Sequence, residues 1–243
     1  MVLDISKTAV ELGEKAAKKT AELLNKAIAE KGCARLVLST GMSQFETISA
    51  LVKEDVDWSV VEVFHLDEYV GMSIDHPASF RRYILDRFNA FVNVKKLYLV
   101  NGEGDVEANI AELTKAYKEA PIDVALIGIG ENAHIAFNDP PADFDRQESY
   151  ITVNLNETCR QQQLNEGWFP NMDAVPRQAI SMTVSEIMRC RSIVSAVPHK
   201  AKAEAIKNTM ACELTNMVPA TMLKQHGDWY LYIDENSASL MDR

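Results

Sequence analysis

The sequence predicts an α/β protein with a Rossmann-like, open and mostly parallel sheet that carries helices on both faces. Segments with β-type apolar runs alternate along the chain with segments of helical spacing. The run from Val124 to Ile127 is continuously apolar, as expected for a strand that helices cover on both faces. No repeat, low-complexity tract or Pro/Gly-rich linker interrupts the 243 residues. We therefore predict a single domain over residues 1–243.

The first half of the chain gives the clearest alternation. Apolar residues keep helical spacing over Ser6–Lys31, and Gly32 follows at the position of a C-terminal cap. The β-type run Arg35–Ser39 comes next and leads into a turn over residues 40–43. The same criteria then predict, in order, helix Gln44–Lys53, strand Val61–Leu66, helix Ser79–Phe91, strand Lys96–Val100, helix Val106–Glu119 and strand Asp123–Gly128.

In the second half, strands and helices continue to alternate. The predicted strands are Tyr150–Leu155, Ala179–Thr183, Ser192–Val197 and Trp229–Asp234, and the predicted helices are Val184–Arg189 and Lys200–Thr209. Ligands of open parallel sheets bind beyond the carboxyl ends of the strands. The turns of interest are therefore those after Ser39, Leu66, Ile127 and Val197.

Composition excludes several classes of function. The formal net charge of -10 argues against nucleic-acid binding, which needs a cationic surface. The four cysteines form no CxxC pair, so we expect neither a zinc site nor a disulfide framework. The N-terminus lacks a signal-peptide core, and no apolar run approaches the ~18 residues of a membrane span. We expect a cytoplasmic protein with no membrane partner.

The turn in "LSTGMSQ" is the first candidate for ligand binding. The strand is followed by the turn Thr40, Gly41, Met42 and Ser43 and then by a helix. Such a turn presents free backbone N–H groups, which suit a phosphate. The GxxxxGK[ST] pattern of a nucleoside-triphosphate loop is missing. The alternative is that Ser43 caps the helix and Gly41 only makes the turn.

The stretch "FHLDEYVG" places two acids at the end of an apolar strand. A carboxylate of Asp67 or Glu68 that is partly desolvated there would have a raised pKa and could move protons near neutral pH. The alternative is an acidic loop that caps the following helix. The position at the ligand-binding edge favours a catalytic role.

The stretch "GIGENAHIAFNDPP" matches the GxGxx[GA] dinucleotide fingerprint, but its context does not fit. The fingerprint belongs after the first strand and opens a helix, whereas Pro140 and Pro141 end this segment within a few residues. Gly130 is better explained by close backbone approach to a small ligand. His134 stands among polar groups that include Asn132 and Asp139, which favours proton transfer over a buried structural histidine.

Two cations are candidates for binding an anion. Lys200 begins a helix after a strand in "AVPHKAKAEAI", and Arg160 lies in the polar stretch "CRQQQ". The alternative is a solvated helix face, to which we assign Lys202 and Lys207.

Four stretches together, "LSTGMSQ", "FHLDEYVG", "GIGENAHIAFNDP" and "VPHKAKAEAI", resemble in order and spacing the glucosamine-6-phosphate deaminases, also called isomerases. That family is related to galactosamine-6-phosphate isomerases and shares its Rossmann-like fold with the 6-phosphogluconolactonases. The resemblance implies that residues 40–43 and Lys200 bind the sugar phosphate. It also implies that His134 opens the sugar ring and that Asp67 moves a proton from C2 to C1. It implies no metal and no redox cofactor, and it permits a homo-oligomer.

The chain departs from the family pattern in the stretch "GIGENAHIAFNDPP", where Asn132 stands at a position that is Asp in some members and Asn in others. Asp139 replaces the more usual Glu, which shortens its reach toward His134, and Ala133 replaces the glycine before that histidine. A positive φ at Ala133 would cost about 1–2 kcal/mol. The alternatives left open are a galactosamine 6-phosphate enzyme and a sugar-phosphate-binding regulator without catalysis. A lactonase fits less well, because those relatives resemble "GHTA" followed by a different loop. A nicotinamide-dependent dehydrogenase is not expected.

Overall fold

The structure, a computed structural model, describes residues 1–165 and 167–241. The strands of the described part are β1 (Val2–Ser6), β2 (Ala34–Leu38), β3 (Val61–His65), β4 (Asp67–Tyr69), β5 (Lys96–Leu97), β6 (Val124–Leu126), β7 (Tyr150–Asn154), β8 (Gln178–Met182), β9 (Ser192–Val197) and β10 (Trp229–Asp234). The α-helices are α1 (Ala9–Lys31), α2 (Phe45–Leu51), α3 (Phe80–Ile84), α4 (Val106–Tyr117), α5 (Glu157–Asn165), α6 (Val184–Ile187) and α7 (Ala203–Ala211). A wider helical turn, Leu85–Asn89, continues α3.

The main sheet has the order β1-β10-β9-β6-β2-β3-β5, and all its neighbouring strands are parallel. Alternate residues of each strand face opposite sides, so that Leu36 packs in one apolar core and Val37 in the other. One core takes in α1, α2 and the α3 region, and the other takes in α4, α6 and α7. The predicted open parallel sheet with helices on both faces is confirmed.

A second, antiparallel sheet of order β4-β8-β7 was not predicted. The strands expected at Tyr150–Leu155 and Ala179–Thr183 exist, but they belong to this small sheet rather than to the main one. In β7 the first residue is buried, and exposed and half-buried residues follow it, as in an antiparallel sheet with one solvated face. The chain passes from the main sheet into the small one at Leu66, between β3 and β4.

The N-terminal prediction was correct for most of the helix and wrong at its start. Ser6 ends strand β1 at the sheet edge, and the helix begins after Thr8, whose hydroxyl accepts a hydrogen bond from the Glu11 N–H at 3.2 Å. The C-terminal cap is as predicted, because Gly32 adopts a left-handed φ of 75° and its N–H donates to the Ile28 carbonyl.

Candidate active site

A cavity of about 180 Å³ lies where the carboxyl ends of β2, β3, β6 and β9 meet. The lining residues come from the turns selected from the sequence, from the small sheet and from α5. They are Ser39, Thr40, Gly41, Met42, Ser43, Leu66, Asp67, Phe80, Gly128, Ile129, Gly130, Glu131, His134, Ala136, Phe137, Gln162, Gln163, His199, Ala201 and Lys202. The predicted acid and the predicted imidazole therefore share one cavity.

The turn after β2 contains a glycine in the left-handed region. Gly41 adopts a φ of 95°, which favours glycine, and it precedes a short 3-10 turn over Met42–Gln44. Ser43 does not cap a helix, because its hydroxyl accepts a hydrogen bond from the Gln44 side-chain amide at 3.1 Å. The same amide donates to the Ala196 carbonyl of β9 at 3.0 Å and so fixes the turn against the sheet.

Asp67, the first residue of β4, is 7% exposed. Burial, together with the adjacent carboxylate of Glu68, raises the pKa of Asp67 to about 8. Within residues 1–165 and 167–241 its carboxyl makes no hydrogen bond or ion pair that would stabilise the charged form. A carboxylate with such a pKa is a strong enough base to remove a weakly acidic C–H proton near neutral pH.

The backbone before Asp67 is fixed from three sides. Leu66 donates to the Leu38 carbonyl at 3.2 Å and accepts from the Met182 N–H at 2.8 Å. The carbonyl of His65 accepts from the Tyr150 hydroxyl at 3.0 Å. The Nε2 of His65 accepts from the Val100 N–H at 2.8 Å, and burial lowers the pKa of this imidazole to about 3. His65 is therefore a neutral structural residue.

The prediction of a catalytic Glu68 needs correction. Glu68 is fully buried and does not line the cavity. Its carboxylate accepts hydrogen bonds from the Ser79 hydroxyl and from the N–H groups of Phe80 and Arg81, and it pairs with the Arg81 guanidinium at 3.2 Å. Neighbouring side chains of a β-strand such as β4 point to opposite faces of the sheet. Because the Asp67 side chain faces the cavity, the Glu68 side chain points away from it. Glu68 is a positioning residue that joins β4 to the start of α3.

The His134 imidazole contacts two polar side chains, those of Asn132 and Asp139. Its Nδ1 is 2.6 Å from the Asn132 Oδ1 and 3.2 Å from the Asp139 Oδ1. The Asn132 amide also donates to that Asp139 oxygen at 3.0 Å. Burial opposes the charge of Asp139, but the hydrogen bond with His134 lowers the pKa of this carboxyl. Asp139 thus reaches the imidazole despite being one methylene shorter than Glu, and the ring keeps Nε2 for a ligand.

Asn132 and Asp139 do not line the cavity themselves. They contact the Nδ1 atom of the imidazole. In a histidine–aspartate pair, the carboxylate at this atom sets the tautomer and the orientation of the ring. Both residues were predicted to be catalytic. Their contacts with Nδ1 of His134 instead give them the role of positioning the imidazole.

Backbone strain is concentrated in the loop that carries His134. Ala133 has a φ of 64° and Ala136 a φ of 50°, both in the left-handed region. The strain expected of Ala133 if its φ were positive is therefore present, at about 1–2 kcal/mol. Ala133 donates its N–H to the Gly130 carbonyl at 3.0 Å, which closes a tight turn instead of opening a helix. These glycines therefore do not open the helix that the dinucleotide fingerprint requires.

Gly130 gives the His134 imidazole its space. A Cβ atom at residue 130 would lie 2.2 Å from the His134 Cε1 and 2.3 Å from its Nε2. We expect Gly130→Ala to displace the ring and to lower kcat by about 10²-fold, because a shift near 1 Å in a reacting group has that effect. Gly227→Ala is the matched control, since nothing lies within 4 Å of a Cβ atom there. An unchanged kcat in Gly130→Ala would contradict the assignment.

Ser181 connects the two candidate groups. It is opposite Asp67 in the β4–β8 pairing, and its buried hydroxyl accepts from the Phe137 N–H at 3.0 Å in the loop that carries His134. Asn138, next to Phe137, donates its amide to the Met182 carbonyl at 2.8 Å. The distance between acid and imidazole is therefore fixed through one strand.

Ser181→Ala leaves the buried Phe137 N–H without its acceptor. We expect the free energy of unfolding to fall by about 1–3 kcal/mol, and kcat to fall more than the affinity for substrate. Urea denaturation and steady-state kinetics measure the two effects. Ser181→Thr keeps the hydroxyl and should restore both, so a Thr variant as impaired as the Ala variant would contradict this explanation.

The two cations predicted to bind an anion, Lys200 and Arg160, do not line the cavity. Lys200 is exposed and does not line the cavity, whereas Lys202, assigned above to a solvated face, does. The cause is His199, whose φ of 79° and N–H bond to the Asp234 carboxylate at 3.1 Å start a 3-10 turn that brings Lys202 inward. Arg160 also lies outside the cavity, where its guanidinium donates to the carbonyls of Met172 and Val175.

Sequence reasoning missed the polar residues that α5 and the loop after β6 bring to the cavity. Gln162 and Gln163 line it, and the Gln163 side-chain oxygen accepts from the Tyr69 hydroxyl at 2.5 Å. Glu131 also lines it. The run "RQQQ" was the available signal, but an unbroken polar stretch does not reveal which of its residues face a ligand.

Within residues 1–165 and 167–241, no group of three or more His, Cys, Asp and Glu side chains is placed to hold a metal ion. The helices of the same residues include none that is both long and apolar enough to cross a membrane.

Comparison with known proteins decides the family. Residues 7–231 match the family model described as glucosamine-6-phosphate isomerases/6-phosphogluconolactonase. The chain belongs to this family. A glucosamine-6-phosphate deaminase of Thermoanaerobacter sp. (strain X514) is 35% identical over 239 residues, which cover 94% of this chain and 92% of the relative. One of Lactobacillus delbrueckii subsp. bulgaricus (strain ATCC BAA-365 / Lb-18) is 34% identical over 242 residues, which cover 99% of this chain and all of the relative.

Solved structures of the glucosamine-6-phosphate isomerase/6-phosphogluconolactonase family agree with this assignment. A monomeric glucosamine-6-phosphate deaminase superposes with a TM-score of 0.89 at 31% identity over 99% of this chain and 100% of that one. A 6-phosphogluconolactonase from Shewanella baltica OS155 superposes with a TM-score of 0.78 at 19% identity over 96% of this chain and 97% of that one, which supports the shared fold alone. The family resemblance drawn from the sequence is confirmed.

Proposed function

We propose that the protein converts glucosamine 6-phosphate and water to fructose 6-phosphate and ammonium. The observation that carries the proposal is the shared cavity, in which the buried carboxyl of Asp67 and the imidazole of His134 face one small volume. Relatives at 34–35% identity that bear the name of this deaminase support the choice of substrate.

The proposed reaction begins with ring opening. The pyranose hemiacetal opens when its C1 hydroxyl loses a proton and its ring oxygen gains one, and the Nε2 of His134 is the group proposed to carry that proton. Asn132 and Asp139 bind Nδ1 and so hold the imidazole in the orientation for this transfer. The product of the step is an open-chain 2-amino aldehyde.

The second step is a proton shift between neighbouring carbons. The carboxylate of Asp67 removes the proton from C2, which is acidified by the C1 aldehyde, while O1 takes up a proton from the C2 ammonium group, and an enolamine forms. The same carboxyl then returns the C2 proton to C1, which leaves an iminium ion at C2. Water adds to C2 and the nitrogen leaves as ammonium, giving the ketose. One carboxyl with a pKa near 8 can both accept and return this proton.

The phosphate end of the substrate is proposed to bind at the turn of residues 40–43 together with Lys202. Binding energy from the remote phosphate orients C1 and C2 against Asp67, which is how enzymes use contacts far from the reacting atoms. Lys202 replaces Lys200 in this role because Lys202 lines the cavity.

A single assay with three sugars tests the proposal. The purified protein is incubated with glucosamine 6-phosphate, galactosamine 6-phosphate or 6-phosphogluconolactone. Ammonium and ketose phosphate are measured for the two amino sugars, and acid release is measured for the lactone. We expect equal amounts of ammonium and fructose 6-phosphate from glucosamine 6-phosphate. If only galactosamine 6-phosphate is turned over, the substrate is the galactosamine epimer and not glucosamine 6-phosphate. No ammonium from either amino sugar, with thermal stabilisation by the sugar phosphate, would indicate a non-catalytic binding protein.

A further inference from the structure

A second and larger cavity lies beside the candidate active site. This groove has a volume of about 680 Å³ and runs between α2, the α3 region and the segment around Trp168. It shares Gly41, Met42, Phe80 and Gln163 with the catalytic cavity, but Asp67 and His134 do not line it. The proposed deamination uses none of its other residues.

Five aromatic side chains line the groove. Phe45 and Tyr83 are stacked with their centroids 5.6 Å apart and their planes 20° apart. Phe91 is 68% exposed and Trp168 is 37% exposed, although large apolar side chains are usually covered. Aromatic residues make up only 7% of the chain, so this convergence on one surface groove is not a consequence of composition. A ligand with a planar apolar body fits these walls.

One arginine lies over two of these rings, and further cations line the groove. The Arg87 guanidinium lies 3.7 Å from the Phe45 ring centroid and 5.6 Å from that of Tyr83. Arg82 is paired with Asp86, the acid of the groove lining. For Arg87 and Lys53, no carboxylate partner is found in residues 1–165 and 167–241. Both cations can therefore pair with an anionic group of a ligand.

One polar atom of the groove wall also lacks a partner. The Tyr83 hydroxyl is buried and makes no hydrogen bond within the described residues. Burial raises the pKa of this phenol well above its usual value, and the Glu46 carboxylate opposes its ionisation further. The hydroxyl is therefore a neutral donor of a residue that lines the groove.

We propose that this groove is a second binding site, which takes a small aromatic anion: a planar ring system that carries one carboxylate, phosphate or sulfonate. The ring stacks among Phe45, Phe91 and Trp168, and the anionic group pairs with Arg87 and Lys53. The inference is independent of the proposed deamination, because it uses neither Asp67 nor His134.

Binding of 1-anilinonaphthalene-8-sulfonate tests the site, with the probe followed by its fluorescence and its stoichiometry by equilibrium dialysis. We expect saturable binding of one probe per chain. Arg87→Gln removes the charge-assisted contact, and Ser49→Trp fills the groove from an exposed lining position. Each should weaken binding about tenfold or more. Inorganic sulfate, which has no ring, and 1-naphthalenemethanol, which has no charge, should bind more weakly than the probe by a similar factor.

Two variants serve as controls. Arg146→Gln makes the same charge change at an exposed arginine outside the groove, and Lys202→Gln alters the catalytic cavity alone. Both should bind the probe as the unchanged protein does, with folding verified by the thermal midpoint. The proposal is overturned if Arg87→Gln and Ser49→Trp bind normally, or if either control variant loses binding as much as they do.

Discussion

Replacement of Asp67 by Asn is expected to lower kcat by about 10²–10⁴-fold, the usual contribution of a positioned general base. The amide has nearly the same shape, but it cannot take the proton from C2. Binding of glucosamine 6-phosphate should be retained, because the proposed phosphate ligands are untouched. Stopped ammonium assays give kcat, and isothermal titration gives the affinity.

Asp55→Asn is the control for Asp67→Asn, because it makes the same chemical change at an exposed aspartate outside the cavity. Stability also separates catalysis from folding. The folded pKa of Asp67 is about 8 against an ordinary 3.8, so the folded state holds an extra proton between these values. The unchanged protein should therefore lose stability as the pH rises through this window, and Asp67→Asn should not. Wild-type activity in Asp67→Asn would exclude this residue as the base.

The pH profile of kcat/KM follows from the same pKa. The base must be ionised in the free enzyme, so kcat/KM should rise with pH and level off above about 8. Glu68 contributes to the raised value, after burial, through its adjacent charge. Glu68→Gln should therefore shift the rising limb to lower pH, at some cost in stability because it weakens the contacts with α3. If the pH range over which kcat/KM rises is unchanged in Glu68→Gln, the electrostatic explanation is wrong.

Replacement of His134 by Gln is expected to have the second largest effect, a fall in kcat of about 10²-fold or more. Gln can donate and accept hydrogen bonds at this position, but it cannot carry a proton between the C1 hydroxyl and the ring oxygen. Coupled measurement of fructose 6-phosphate gives the rate.

An acyclic ligand distinguishes ring opening from binding. The alditol 2-amino-2-deoxyglucitol 6-phosphate has no ring to open, so His134→Gln should bind it nearly as well as the unchanged protein does. Asp139→Asn keeps the imidazole and should be less impaired than His134→Gln. If His134→Gln lost kcat and alditol affinity to the same degree, the histidine would be a binding residue rather than the ring-opening group.

Much of the fold and the centre of the site could be predicted from the sequence. Long periodic segments such as α1 and apolar strands such as β9 depend on local pattern, and their carboxyl ends locate the ligand edge. Strands β1 and β4 could not be predicted in this way, because they contain only five and three residues and are defined by their pairing partners. Helix α5 is polar almost throughout and shows no apolar periodicity.

The errors in the site have a common physical cause. Lys200 and Glu68 each stand within two residues of a side chain that lines the cavity, but the direction of a side chain depends on backbone geometry that composition does not reveal. The left-handed φ of His199 decides between the two lysines. The antiparallel pairing of β4 decides that Asp67 and not Glu68 faces the cavity.

The position of Asp67 at the change from the main sheet to the small one has a consequence for how such proteins diversify. Backbone pairing on both sides holds the acid, while the segments around residues 131, 162 and 202 reach the same cavity from other parts of the chain. Those segments can acquire substitutions that alter which sugar is recognised without disturbing the acid. A common scaffold for deaminases and lactonases is understandable on this basis, because the loops can differ while the backbone pairing at the junction is kept.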